Sequence, residues 1–446
     1  MKKYNVIVIG GSAAGITAAL TAKRYYPDKS ILLIRKEEKV LIPCGIPYIF
    51  GTVKKVEKNL IPDEILSNNG VNLMVEEVSS IDRKQKVIST LENGPISYDK
   101  LVLATGSEPI ELPIPGLDKK NVFFVKKDTQ YLNNILQQLK EVKDVVVLGG
   151  GFIGVEFADE FKKNGLNVTI VEMLPHCLML AFEEEVCKIA EDKLTSRGIK
   201  IITNTKVEEI LGEDAVTEVK LSNGQKLKAD IVLVGVGVRP NVKLAEEAGL
   251  EVNRNGIVVY SSMQTSDEHI FACGDCAIKC SFFTGKPSGL RLASIASIEA
   301  RIAGANLFKL HRHNVGAIGV FTTAIGELVM ANAGLTERAA REEGFEVCCG
   351  QAEAPDRHPG SMPGMSHMKV KLVFNKNTEE IIGGHAIGGS SVGEFINVIS
   401  ACIQNKMKAN DIAVFQIGTH PAVTASPISY QMVNAAEIAN MAIKNR

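Results

Sequence analysis

Residues 39–51 read KVLIPCGIPYIFG, with Cys44 between Pro43 and Gly45, and Pro47 three residues further on. The next cysteine along the chain is Cys177. Disulfide exchange normally uses two thiols, so a lone one raises the question of its partner. Only a thiolate attacks, and an ordinary thiol with a pKa of about 8.5 is mostly protonated at neutral pH. Pro43 disfavours helix at the residue before it, and Pro47 is tolerated only in a first turn. The sequence therefore predicts a helix N-terminus at Cys44, whose free N–H groups would stabilise the thiolate.

Two glycine turns offer chemistry of a second kind. Gly149-x-Gly151-x-x-Gly154, with Ile153 inside it, follows a strand pattern and opens a helix pattern. The first glycine allows a tight turn, the second lets backbone approach a pyrophosphate at the helix N-terminus, and the third lets helix and strand pack. Glu172 ends the next strand, placed to accept hydrogen bonds from a ribose 2′-OH. A 2′-phosphate would meet like charge there, so NADH is expected in preference to NADPH. The earlier turn reads Gly10-x-Ser12-x-x-Gly15, with Ala13 and Ala14 inside it. Serine replaces the middle glycine, and Arg35 stands where the ribose acid would sit, leaving Glu37 or Glu38 as substitutes.

The elements that must hold these turns recur. Residues 4–38 read strand, glycine turn, helix, strand, and residues 142–173 repeat the pattern. Two such starts imply two Rossmann-like nucleotide-binding domains on parallel sheets. Further strands end at Thr105-Gly106, at Gly235-Val236-Gly237 and at Gly274-Asp275. After about residue 320 the texture changes; residues 370–388 read as a hairpin with helical patterns beyond. The expected fold class is α/β, with a C-terminal α+β domain. The expected boundaries are residues 1–112 with 251–320, then 113–250, then 321–446.

The 446 residues are too many for one core. A net charge of −1 gives no basic footprint for nucleic acid. No apolar run reaches the ~18 residues of a membrane span. The N-terminal apolar run is too short for a signal peptide, so a cytoplasmic location is expected. Nine scattered cysteines do not resemble a secreted disulfide framework.

The two turns, the ATG at 104–106 and the late Gly274-Asp275 together resemble the FAD-dependent pyridine nucleotide–disulfide oxidoreductases, over essentially the whole chain. That resemblance implies FAD in the first domain, with Gly10–Gly15, Thr105, Gly106, Ala293 and Asp275 as contacts, Asp275 at the ribitol. It implies NAD(H) in the second domain, with Glu156 near the nicotinamide and Gly237 in the cofactor set. The third domain would form a homodimer whose partner completes each active site.

P-C-G-I-P-Y narrows the resemblance to a single-cysteine branch: coenzyme A-disulfide reductases, NADH oxidases and peroxidases, and persulfide or polysulfide reductases. There one cysteine cycles through a mixed disulfide with substrate or through a sulfenic acid, which answers the question of the missing thiol. Ala13 stands where oxidases and peroxidases of the branch often carry a histidine. The segments DRHPG (356–360) and IGTHPAV (417–423) lack the tyrosines usual in coenzyme A-disulfide reductases. His420-Pro421 resembles the His-Pro of the two-thiol branches, where a partner-subunit histidine protonates the departing thiolate. Ala425 holds the place of the glutamate that orients it, and His358 is the weaker candidate.

Cys273-Gly274-Asp275-Cys276 mimics a metal or redox pair, but Asp275 belongs to the flavin reading and no fourth ligand is near. The methionines and histidines of 358–368 read as a loop rather than a metal site, and no metal is expected. The expected activity is electron transfer from NADH through flavin and Cys44 to a small disulfide, persulfide or polysulfide such as coenzyme A disulfide. The alternatives are oxygen as acceptor, and a reductase serving an electron-carrier protein.

Overall fold

The computed structural model describes residues 1–444, which fall into two compact units. The first comprises Met1–Pro113, Phe124–Glu141 and Val236–Ala317; the second comprises Ile114–Phe123, Val142–Gly235 and the described residues from Ile318 on.

Runs such as Val6–Ile9 have the length and β-branched content of strands covered on both faces, and Val6, Ile7 and Val8 are fully buried. In the first unit Lys2–Ile9 lies between Ile31–Arg35 and Gly94–Leu103, parallel to both, with Val6 opposite Ile31 and Ile7 opposite Leu101. Asn72–Val75 extends one edge, and Ile270–Ala272 also pairs in parallel with Gly94–Leu103. The helix Ala13–Tyr25 packs on Ala293–Asn306 through small residues. A Cβ at Gly304 would stand 2.6 Å from the Ala18 carbonyl oxygen, so that glycine permits the close approach.

The second unit contains a five-stranded sheet in which Asp144–Leu148 lies between Asn167–Val171 and Ile231–Val234, again in parallel. It also contains an antiparallel sheet ordered Val320–Ile325, Leu328–Gly334, Ile381–Gly388, His367–Asn375, Val347–Pro355. The helices Val392–Gln404 and Gln431–Lys444 pack on this sheet. The α/β class, with two parallel-sheet nucleotide-type folds and a C-terminal α+β part, holds. Each parallel sheet reverses its winding at the carboxyl end of its first strand, where ligands of such sheets bind. Among the described residues no helix is long and apolar enough to cross a membrane.

Candidate nucleotide sites and the cysteine turn

The two glycine turns fold alike. A Cβ on Gly10 would meet the Ala104 carbonyl oxygen at 2.1 Å, and Gly149 bends the second turn at φ +97°. At the third position a Cβ on Gly15 would lie 1.8 Å from Gly10 O, and one on Gly154 would lie 1.9 Å from Gly149 O. Those glycines are packing requirements of the strand–helix join. The middle position differs in kind. Gly151 caps Phe152–Lys162 with open space beyond it, and Ser12 caps Ala13–Tyr25 with its side chain making no cap bond. Both helix ends thus present backbone N–H groups toward a face that an anionic group can approach. The residues present fit a dinucleotide in each turn.

Glu172 is buried at the end of its strand. Its Oε2 accepts from Gly150 N at 2.6 Å and its Oε1 from Leu174 N at 2.7 Å. A carboxylate has about four acceptor sites, so about two remain for further donors. Glu156, one turn into the same helix, accepts from Thr323 Oγ1 at 3.0 Å. Burial pushes its carboxyl up to about 7, with the nearby Glu160 charge adding and the threonine bond pulling back. Phe152 stacks on Phe321 at 5.2 Å, so a second side chain of this helix leans on the strand that carries Thr323.

Arg35 is where the sequence and the structure are most instructive to compare. The guanidinium is buried and grips Asp63 in a two-point pair, Nη1–Oδ1 2.7 Å and Nη2–Oδ2 2.9 Å. Its remaining bonds go to the carbonyls of Glu37 and Glu38, both at 2.7 Å. The aliphatic stem crosses Gly11, where a Cβ would stand 2.4 Å from Arg35 Cδ. Arg35 therefore builds the loop after its strand. Glu37 is half-buried and Glu38 exposed on that loop.

Around the other flavin-type residues, Asp275 Oδ2 accepts from Ser107 Oγ at 2.7 Å. Thr105 Oγ1 donates to Asn241 O at 2.7 Å, and Gly106 O accepts from Asn241 N at 2.9 Å. Ala13 and Ala293 each open a helix, Ala14 packs under Gly274, and Gly237 O accepts from Ile110 N within the first unit. Ile153 is half-buried on the helix that Gly151 caps.

Cys44 is exposed. The structure corrects its setting: Pro43–Gly45 and Pro47–Phe50 are single 3-10 turns, not the start of an α-helix. Two prolines within five residues leave too few backbone donors to carry a longer helix. Sequence reasoning missed Asn59, which is buried against this turn. Its Nδ2 donates to Ile42 O at 2.9 Å and its O accepts from Ile42 N at 2.9 Å. A Cβ on Gly45 would lie 2.0 Å from Asn59 Oδ1, so Gly45 is required for that fit. Only the polarity of residue 59 beside an apolar pair hinted at it.

His420 is exposed on a turn in which its Nδ1 accepts from Ala422 N at 3.2 Å and its N–H donates to Thr424 Oγ1 at 2.9 Å. His358 is held to the same turn, Nδ1 lying 3.0 Å from Thr424 O and N donating to Pro421 O. The two histidine candidates thus share one loop cluster. Ala425 is buried there. Cys273 and Cys276 are buried with their thiols pushed up in pKa by desolvation, and Cys276 Sγ donates to Cys273 O and Leu103 O. Among the described residues no three His, Cys, Asp or Glu side chains converge as metal ligands.

Residues 4–300 match the pyridine nucleotide-disulphide oxidoreductase model, and residues 320–428 match the dimerisation domain of the same family. The chain belongs to that family. It is therefore an oxidoreductase that works with a flavin and NAD(H), and it carries a dimerisation domain. An NADH oxidase of Methanocaldococcus jannaschii is 31% identical over 451 residues, 99% of each chain. An NAD(P)H coenzyme A polysulfide/persulfide reductase of Pyrococcus horikoshii is 31% identical over 400 residues, 86% of this chain and 88% of that one. The solved structure of an NAD-dependent persulfide reductase from A. fulgidus is 30% identical with a TM-score of 0.91, over 99% of this chain and 83% of that one.

Proposed function

We propose that this chain is an FAD-dependent NADH oxidoreductase that delivers electrons through Cys44 to a small disulfide, persulfide or polysulfide, with coenzyme A disulfide as a representative substrate. The observation that carries the reading is Cys44 itself, an exposed thiol on a turn that Asn59 and Gly45 lock in place. The persulfide-reducing relatives support the sulfur acceptor.

Gly10–Gly15 takes the pyrophosphate of FAD, Asp275 its ribitol, and Gly149–Gly154 with Glu172 takes NADH. The carboxylate of Glu172 disfavours a 2′-phosphate by like charge, which sets the preference for NADH over NADPH. A bound flavin supplies a two-electron relay between the nicotinamide and sulfur.

The Cys44 thiolate attacks one sulfur of R–S–S–R. The S–S bond breaks, RS⁻ leaves, and a Cys44–S–S–R bond forms. His420 of the partner subunit protonates the departing thiolate. Two electrons that originate in NADH then cleave the mixed disulfide, restoring the Cys44 thiolate and releasing the second thiol. The balance is NADH + H⁺ + RSSR → NAD⁺ + 2 RSH. The partner enters because the third domain makes the homodimer.

Oxygen is the second reading, favoured by the full-length match to the M. jannaschii NADH oxidase. Anaerobic NADH consumption with coenzyme A disulfide or polysulfide separates the two. Turnover that vanishes in Cys44→Ser supports the sulfur reading; turnover only after air is admitted supports the oxidase; sulfur turnover that survives the substitution refutes the role of Cys44.

A further inference from the structure

Beneath the Gly274–Asp275 turn lies an ion pair that none of the chemistry above uses. The Lys279 and Glu299 side chains are 2% and 1% exposed. Glu299 Oε2 accepts from Gly274 N at 2.9 Å and from Lys279 Nζ at 3.1 Å. The same ammonium donates to Gly274 O at 2.6 Å and to Ala277 O at 3.1 Å, so its three hydrogens are all placed. The two side chains hold both the N–H and the C=O of one residue, and they hold each other.

That residue has little freedom of its own. Gly274 sits at φ +78°, and a Cβ there would come 2.7 Å from Ala14 Cβ. The next residue is Asp275, its carboxylate steered on one side by Ser107. The pair is a poor device for stability alone, because burying two charges costs about as much as their attraction returns. Glu299 bears that cost visibly: its Oε1 is buried with no partner among the described residues. Burial also pushes its carboxyl up to about 7, against the pull of Lys279, with the Asp275 charge adding to the rise.

We propose that Glu299 and Lys279 are positioning residues for the flavin, a clamp on Gly274 that fixes where Asp275 points. This rests on the reading of Asp275 as a flavin contact. The clamp acts through Asp275, so its effect on flavin binding is not independent of that carboxylate.

A double-mutant cycle on the holoenzyme tests this, with the FAD dissociation constant read from flavin fluorescence on dilution. Asp275→Asn and Glu299→Ala each weaken FAD at least tenfold. The double variant binds FAD within about threefold of the weaker single variant, because a mis-aimed Asp275 has little left to lose. Lys279→Met, which keeps the stem's volume, repeats the test if Glu299→Ala does not accumulate folded. Glu299→Gln with Lys279→Met, an uncharged pair in which the glutamine still accepts from Gly274 N, restores most of the affinity. NAD⁺ affinity, a property of the glycine turn of the second unit, stays within twofold throughout.

Losses that multiply in the double variant, or a Glu299→Ala holoenzyme with wild-type FAD affinity, overturn the clamp while leaving Asp275 as a contact. An Asp275→Asn variant that binds FAD like wild type overturns the flavin reading of Asp275 and the clamp with it.

Discussion

Gly151→Ala separates folding from binding at the NADH turn. Gly151 has φ −73° and ψ −176°, which alanine adopts without strain, and its added methyl would meet nothing within 4 Å. Alanine is a poorer helix cap than glycine, but it also restricts the unfolded chain; the two effects oppose, leaving a net change of about 0.5 kcal/mol. In a chain of this size that is about 0.5 °C in Tm. If a pyrophosphate seats on this helix end, the methyl stands where phosphate oxygens approach. Losing two charge-assisted backbone hydrogen bonds at about 1.5 kcal/mol each costs about 3 kcal/mol, roughly 100-fold in Kd. Gly154→Ala is the contrasting control, since its methyl would lie 1.9 Å from the Gly149 carbonyl oxygen and strain the join itself. Calorimetric titration with NAD⁺, which avoids turnover, and thermal unfolding read both quantities. A Gly151→Ala protein that binds NAD⁺ within threefold of wild type would refute the seating. A Tm drop above about 5 °C would refute the claim that the space is open.

Three further outcomes are expected. Burial raises the folded pKa of Glu156 from the ordinary 4.5 to about 7, so the cost of ionising it in the fold is absent at low pH, grows as pH rises from about 4.5 to 7, and levels off above that. That cost reaches about 3 kcal/mol; Glu156→Gln keeps an acceptor for Thr323, and its Tm advantage over wild type should therefore widen from pH 5 to pH 8.5. A constant gap across that range would contradict burial as the cause. Glu172→Gln removes the charge, and its single amide oxygen keeps an acceptor for only one of the two N–H groups that Glu172 holds, those of Gly150 and Leu174. The ratio of kcat/KM for NADPH over NADH should rise about tenfold, equivalent to about 1.4 kcal/mol of removed repulsion; an unchanged ratio would place specificity elsewhere. Asn59→Ala removes the bond to Ile42 O. The rate of Cys44 alkylation by iodoacetamide should change at least threefold with FAD content intact, and an unchanged rate would show that Asn59 does not hold the turn.

Local pattern carried what is local. The glycine turns, the strands before them and the ends at Thr105, Gly235 and Gly274 were legible because each feature is read within about ten residues, where turn geometry and strand burial act. What escaped is long-range pairing. Arg35 stood at a ribose-acid position, and nothing near it announced that Asp63 would take its guanidinium. Asn59 reaches back to Ile42, and Lys279 meets Glu299 across a loop and a helix turn. The prolines around Cys44 were seen, but two of them so close permit only short 3-10 turns, and the predicted helix did not form.

The central claim is that Cys44 accepts the substrate sulfur and gives it up to electrons from NADH. Peptide mapping by mass spectrometry under anaerobic conditions tests it directly. Oxidised holoenzyme is mixed with coenzyme A disulfide, sampled, and sampled again after NADH is added. The account predicts a mixed disulfide on the peptide carrying Cys44 and on no other cysteine peptide, which NADH then removes. Steady turnover of the disulfide with Cys44 never modified, or an adduct that NADH leaves in place, would contradict it.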